Sequence, residues 1–164
     1  MPRILGVNAV AWLAAAIAIY FIGFLIYGVT FGTLWAQQLM IDHGLATKET
    51  AASLTMADIQ KMTIPGAMDT TTSMSLGPVI SIVTALGVCI AQRLMKPASI
   101  GAAIGYGFVL WFGFGATTLA YNVVYSSNSP ISFGIDLLHL FLDYTIASAV
   151  VFLIDRKAIS GATA

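Results

Sequence analysis

The sequence predicts an all-α integral membrane four-helix bundle, with a longer outer loop between helices 1 and 2 that carries short interfacial helices. Three observations predict it: four long apolar runs, very few charges, and an uneven placement of the basic residues. Of the 164 residues, 59% are hydrophobic and only 9% are charged, whereas soluble domains run at roughly 45–50% apolar and about 25% charged. A water-soluble fold of this size could not coat that much apolar surface with so few charges. Lipid is the covering that remains.

A bilayer core needs about 20 predominantly apolar residues at ~1.5 Å rise each. The N-terminus opens with Arg3 ahead of an apolar stretch, as a signal peptide would. The uncharged run continues to Met40, however, far beyond the roughly 7–15 residues of a signal core. A retained first span is therefore expected at about 8–30. The following loop, 31–73, mixes Trp35, Leu39 and Met40 with Gln37, Gln38 and Asp42 over Phe31–His43, which suits a helix lying along the interface. Thr55 followed by Asp58 marks a second helix start, ending before Pro65. The second span is expected at about 75–92, with Pro78 in its first turn. The third is expected at about 99–121 and the fourth at about 131–154. No internal repeat or low-complexity tract interrupts the chain, so residues 1–164 read as a single transmembrane domain.

Charge orients these spans. Arg3, Arg93, Lys96, Arg156 and Lys157 fall on one side of a four-span chain, and only Lys48 and Lys61 on the other, beside Asp42, Glu49, Asp58 and Asp69. The positive-inside rule then places both termini in the cytoplasm. Aromatic residues flank the spans at headgroup depth: Tyr27, Trp35, Tyr121 and Tyr125 at the outer side, Trp12 near the inner side.

The fourth span carries the constellation of most interest. Asp136, His139 and Asp143, at i, i+3 and i+7, fall within about 60° of one another at ~100° per residue. If the span begins at Ile131, Asp136 lies about 7 Å and Asp143 about 18 Å below the outer interface. Each carboxylate near a helix centre costs roughly 2.5–3.5 kcal/mol on the insertion scale. The fourteen Leu, Ile, Val and Phe residues of the span return about 6 kcal/mol in total. The two sums nearly cancel, so the acidic face must be paired, protonated or wet. No Lys or Arg lies inside any span, and the available partners are His139, Asn8, Tyr27, Asn122, lipid headgroups or another subunit. Such a face serves as a proton relay or cation site, or as a hydrogen-bonded network that fixes packing or subunit contacts. As a metal site it is incomplete, and no metal is assigned.

Other features read more simply. Gly101 and Gly105 form a GxxxG pattern, a signal for close helix packing, expected within the monomer. Cys89 sits in an apolar run and reads as a small buried hydrophobe. Met56, Met62, Met68 and Met74, with His43 ahead of them, are a thioether-rich segment of the kind that holds copper(I), or membrane-facing hydrophobes. There is no phosphate loop, nucleophile elbow, CxxC, HExxH or dinucleotide fingerprint. Zero net charge and small basic clusters exclude nucleic acid as a partner. The expectation is a non-enzyme without a cofactor.

Asn8 opening the first span, Tyr27-Gly-Val-Thr-Phe31-Gly32 with Trp35, Leu110-Trp111-Phe112-Gly113-Phe114, the turn near Tyr125, and Phe133-Gly-Ile-Asp136 resemble a family of small bacterial membrane proteins. That family is the domain-of-unknown-function family seventeen-sixty-one. The chain departs from its pattern in having Tyr rather than a Trp-Tyr pair near position 27, and in adding His139 and Asp143. The resemblance implies a four-helix, multi-pass protein of the bacterial inner membrane and brings no established activity. The functional expectation is an oligomeric conduit or carrier for protons, cations or a small solute. An accessory or structural subunit of a larger membrane complex is the alternative, and a lipid- or cofactor-binding protein the third.

Overall fold

The computed structural model describes residues 2–62, 70–126 and 129–159. Met68, Pro65, Gly66 and Asp69 lie outside the described residues, as does the side chain of Met74. Among the described residues, four helices are long and apolar enough to cross a membrane: Ala9–Thr30, Ser75–Met95, Ile100–Tyr125 and Pro130–Arg156. The protein is thus a multi-pass, all-α membrane protein.

The chain begins with an element that its apolar pattern hides. Strands β1 (Arg3–Ile4) and β2 (Val7–Asn8) pair antiparallel. Their turn residues, Leu5 at φ 51° and Gly6 at φ 77°, both adopt the left-handed conformation, the backbone of a tight two-residue hairpin. Asn8 then caps α1 (Ala9–Gly23), its side chain accepting from the Val10 amide at 3.0 Å. α1 runs on into a π-helical turn, Phe24–Thr30, closed by the Phe31 amide bonding to the Ile26 carbonyl at 2.8 Å.

Among its described residues the loop holds three helices. α2 (Gly32–Asp42) is the interfacial helix expected at Phe31–His43, and α4 (Met56–Ile59) starts at Thr55 with a reciprocal Thr55–Asp58 capping box. Those hydrogen bonds from Thr55 hold the Asp58 carboxyl below the usual carboxylate range. A second box, Thr47 with Thr50, opens α3 (Lys48–Ser53), which the apolar pattern does not announce. Ala36, Met40 and Ile59 form a small core beneath this loop, and Met56 packs against it. Met56 therefore acts as a hydrophobe here, while His43 is exposed.

α5 (Thr70–Met95) starts well before the expected boundary, so Pro78 lies inside it rather than in its first turn. The Ser81 hydroxyl donates to the Gly77 carbonyl at 3.0 Å beside the proline. The third span is α6 (Ile100–Leu110), a π-helical turn at Trp111–Ala116, and α7 (Thr117–Ser126). The fourth is α8 (Pro130–Ile159), whose helical geometry breaks at Asp155 (φ −113°, ψ 24°).

α1 and α8 pack antiparallel along their length, with Asn8 reaching Asp155 and Tyr27 reaching Asp136. α5 lies against α1, and α6 against α8, while α5 and α6 meet sparingly. The bundle therefore has a loop end, covered by α2, and a terminal end, where the hairpin, the 93–99 connection and Asp155 gather. Ala15, Ala16, Ala85, Ala103 and Ala147 line the central core, so the backbones approach closely.

The close approach on α6 is not where GxxxG suggests. A Cβ on Gly105 would meet nothing within 4 Å, and one on Gly101 would meet only Ser99 Oγ of its own cap at 3.8 Å. At Gly107 a Cβ would fall 2.5 Å from the Tyr144 carbonyl oxygen and 2.7 Å from Ser148 Oγ. Gly101 and Gly105 face outward because the buried stripe of α6 runs through Ala103 and Gly107. Gly107→Ala should accordingly destabilise the bundle by about 1–3 kcal/mol through overpacking, while Gly105→Ala should be neutral. Thermal unfolding of the two variants in detergent checks the contrast.

Candidate functional site

Asp136, His139 and Asp143 share the face of α8 that meets α1, and the first of them is held by two donors. The Tyr27 hydroxyl donates to Asp136 Oδ1 at 2.6 Å, and the Trp35 indole N–H donates to the same oxygen at 3.1 Å. Trp35 was expected in an aromatic belt. Its indole is engaged within the protein, because α2 folds back over the α1–α8 seam and Asp136 is the acceptor it finds there. The two rings meet edge to face at 5.3 Å between centroids, a favourable arrangement for aromatic quadrupoles.

The π-helical turn helps to deliver Tyr27. Hydrogen bonding to the fifth residue rather than the fourth inserts one extra residue into the turn. Ile26 is buried and Tyr27 half-buried, both packed with Ile22 and Ile135 of the same apolar cluster.

His139 continues the chain inward. Its Nδ1 lies 3.4 Å from the Tyr27 oxygen, and its Nε2 lies 3.2 Å from Asp143 Oδ2. Space for the ring comes from Gly23, where an added Cβ would stand 3.2 Å from Nε2. The tautomer follows from counting protons. Tyr27 has one hydrogen and gives it to Asp136, so it can only accept from His139, which places a hydrogen on Nδ1. Nε2 then accepts if the imidazole is neutral, and its proton can come only from Asp143. The His139–Asp143 contact has ion-pair length, yet Nε2 is not aligned to form a hydrogen bond. This link is poised rather than made. Asp143 itself is 2% exposed, and its Oδ1 has no partner.

Of the other expected partners, Asn8 lies at the terminal end and donates to Asp155 Oδ1 at 3.3 Å. It is far from the acidic face because α1 and α8 are antiparallel, which sets residue 8 opposite residue 155. Asn122 flanks a narrow recess with Asp136, Leu119, Val123 and Phe133. Cys89 is buried in the central core.

Two further carboxylates matter. Asp42 ends α2 and accepts from the Ser129 amide at 3.2 Å and the Ser132 hydroxyl at 3.1 Å, at the start of α8. Gln38 donates to its other oxygen at 3.0 Å. α2 is therefore tied to α8 at both ends, by Trp35–Asp136 and by Asp42–Ser132. At the terminal end Asp155 accepts from Arg3 at 3.3 Å as well as from Asn8. Spacing alone could not reveal Trp35, Gly23 or Asp42 as members of these networks, since each acts across more than eighty residues of chain.

The fold and this buried polar face define a multi-pass membrane protein with a titratable chain inside the bundle. The chain belongs to the family described as "Protein of unknown function (DUF1761)", whose model matches residues 10–152. Neither the curated proteins nor the solved structures yield a match to it.

The Tyr27–Asp136 hydrogen bond, charge-assisted and half-buried, should be worth about 1.5–3 kcal/mol. A double-mutant cycle of Tyr27→Phe and Asp136→Ala, read by thermal unfolding, should return a coupling of that order. Additive effects would show that the bond contributes nothing.

Proposed function

We propose that the protein carries protons in the bacterial inner membrane as a non-catalytic conduit or carrier, working as a homo-oligomer, with its loop end outward and its termini cytoplasmic. The reading rests on one observation: a series of adjacent side chains leads from Trp35 and Asp136 through Tyr27 and His139 to the buried, part-unpartnered Asp143, with His139 Nε2 and Asp143 Oδ2 in contact but not hydrogen-bonded. Ionisable groups at membrane depth are costly and are typical of proton and ion pathways. Here the cost is met without any Lys or Arg near the acidic face, the arginines of the spans, Arg93 and Arg156, lying at their terminal ends.

The steps follow from the geometry. A proton arriving at the loop end is received by Asp136, the outermost carboxyl. In the tautomer that carries its hydrogen on Nε2, His139 releases that hydrogen to Asp143 Oδ2 once a small rotation aligns the two, while Nδ1 takes the proton of Asp136 through the Tyr27 hydroxyl. The Nδ1–H arrangement is the state after transfer, and a flip of the ring resets it. Asp143 then holds the proton at the centre of the bundle. A small cation is the second species that such a face could serve, and α2 is the element that would govern entry.

A second reading, as an accessory subunit of a larger membrane complex, draws support from the third span. Phe108, Phe112 and Phe114 are 46%, 63% and 66% exposed, and Gly105 and Gly113 beside them meet nothing within 4 Å. That face suits another helix, from a second copy or from a partner.

Purified protein in proteoliposomes, with a pH-sensitive dye inside and an imposed gradient, should pass protons. Asp143→Asn should reduce the rate at least tenfold. An unchanged rate would remove Asp143 from the mechanism, and the absence of any flux in the wild type would favour the accessory reading.

A further inference from the structure

The chain from Trp35 to Asp143 accounts for the loop half of the bundle. In the terminal half, two fully buried polar side chains remain that the packing does not require: Ser148 and Gln92, both 0% exposed. Gln92 Nε2 donates to the Ala103 carbonyl at 3.0 Å, but its Oε1 has no partner, and neither has Ser148 Oγ. Among the described residues, the buried side-chain atoms without hydrogen-bond partners are Gln92 Oε1, His139 Nε2, Asp143 Oδ1 and Ser148 Oγ. Two belong to the site already described, and the other two lie beyond it toward the terminal end, on the side of α8 that meets α6.

Their depths form a ladder. On α8, Asp143 is about 6 Å below His139 and Ser148 about 7.5 Å below Asp143. Gly107 of α6 sits against Ser148, and Ala103, one turn nearer the terminal end, holds Gln92. Gln92 is thus roughly 6 Å beyond Ser148, and Asp155 is about 10 Å beyond it. From Asp136 to Asp155 the ladder spans about 28 Å, close to the ~30 Å of a hydrocarbon core. No axial step exceeds about 7.5 Å; Ser148 stands about 140° around α8 from Asp143, so a file of waters must bridge that step. Val88, Cys89, Ala103, Ala147 and Val151 surround the terminal half, so an unpaired polar atom there is expensive unless water satisfies it.

We propose that Ser148 and Gln92 continue the polar chain from Asp143 to Asp155 through bound water, making a proton path across the whole bundle. The inference rests on the proton reading above and deepens it by adding the exit. Protons leave at Asp155, the carboxylate that Arg3 and Asn8 hold at the terminal end. Ser148 passes a proton by donating its own as it accepts another, with no net change. Gln92 does not titrate; it is a positioning residue whose Oε1 orients a water.

Hydration is measurable in the wild-type protein without any flux. Water-edited solid-state NMR of proteoliposomes should show fast magnetisation transfer from water to the Gln92 side-chain amide and to Ser148. Val88 and Val151 should receive it slowly. A dry Gln92 and Ser148 overturn the inference, even if Asp143→Asn abolishes flux and the earlier reading stands. In the flux assay, Gln92→Leu and Ser148→Ala should each slow proton movement at least tenfold, with Ser148→Thr restoring it in part. Unchanged flux in both, with Asp143→Asn inactive, would place the exit elsewhere and also overturn it. A wild type that passes no protons overturns the proton path together with the reading on which it rests.

Discussion

Everything in this bundle is arranged around the need to bury carboxyl groups in a helix that lipid would otherwise surround. α8 carries Asp136 and Asp143 through the apolar interior, and no cationic side chain is available there to pair with them. The response is neutral partners. An indole, a phenol and an imidazole, from α2, α1 and α8 itself, converge on the two acids. The α1–α8 seam is therefore both the mechanical centre of the molecule and its chemical one. The antiparallel register that brings Tyr27 to Asp136 also brings Asn8 to Asp155 about 28 Å away. One helix pair thereby supplies a polar contact at each end of the membrane.

The two π-helical turns serve the same seam. One presents Tyr27 beside Ile26, and the other presents Trp111, whose indole donates to the Leu137 carbonyl at 3.0 Å and whose ring meets Phe141 edge to face. Both act on the stretch of α8 between Asp136 and Asp143, from opposite sides. A π turn stores an extra residue, and such turns concentrate at functional sites. Restoring α-helical hydrogen bonding near Tyr27 would rotate its hydroxyl away from Asp136 and His139 together. The polar chain is thus held in register by backbone geometry as well as by its own hydrogen bonds.

Much of this was legible in the sequence, because the strongest signals were one-dimensional. Four spans follow from runs of apolar residues, and the observed helices begin and end within a few residues of those runs, apart from the upstream extension of α5 and the longer third span. The shared face of Asp136, His139 and Asp143 follows from helical periodicity alone. What stayed hidden depends on distance in three dimensions. The GxxxG pattern pointed to Gly101 and Gly105, but the real contact is at Gly107, since which side of α6 meets α8 is decided by the whole bundle. Asn8 and Trp35 were visible as polar and aromatic residues near span ends. Their partners, Asp155 and Asp136, are set by the antiparallel register of α1 and α8 and by the return of α2. The hairpin at Arg3–Asn8 has no alternation long enough to read, and rests instead on two left-handed residues.

The same contrast separates structural from chemical roles among the buried polar groups. Asp42, Asp136 and Asp155 are well supplied: each accepts at least two hydrogen bonds or ion-pair contacts, and each ties together elements that would otherwise be held only by apolar contact. A network built purely for packing would satisfy its deepest member most completely, because an unpaired group costs most where water is scarcest. The order here is reversed. Asp143, the most buried of the three residues on the acidic face, has one carboxyl oxygen without a partner and the other facing an imidazole nitrogen out of line. That inversion supports the proposed relay over a purely structural clamp: the anchoring acids are firmly bonded, and the deepest acid is left unsaturated.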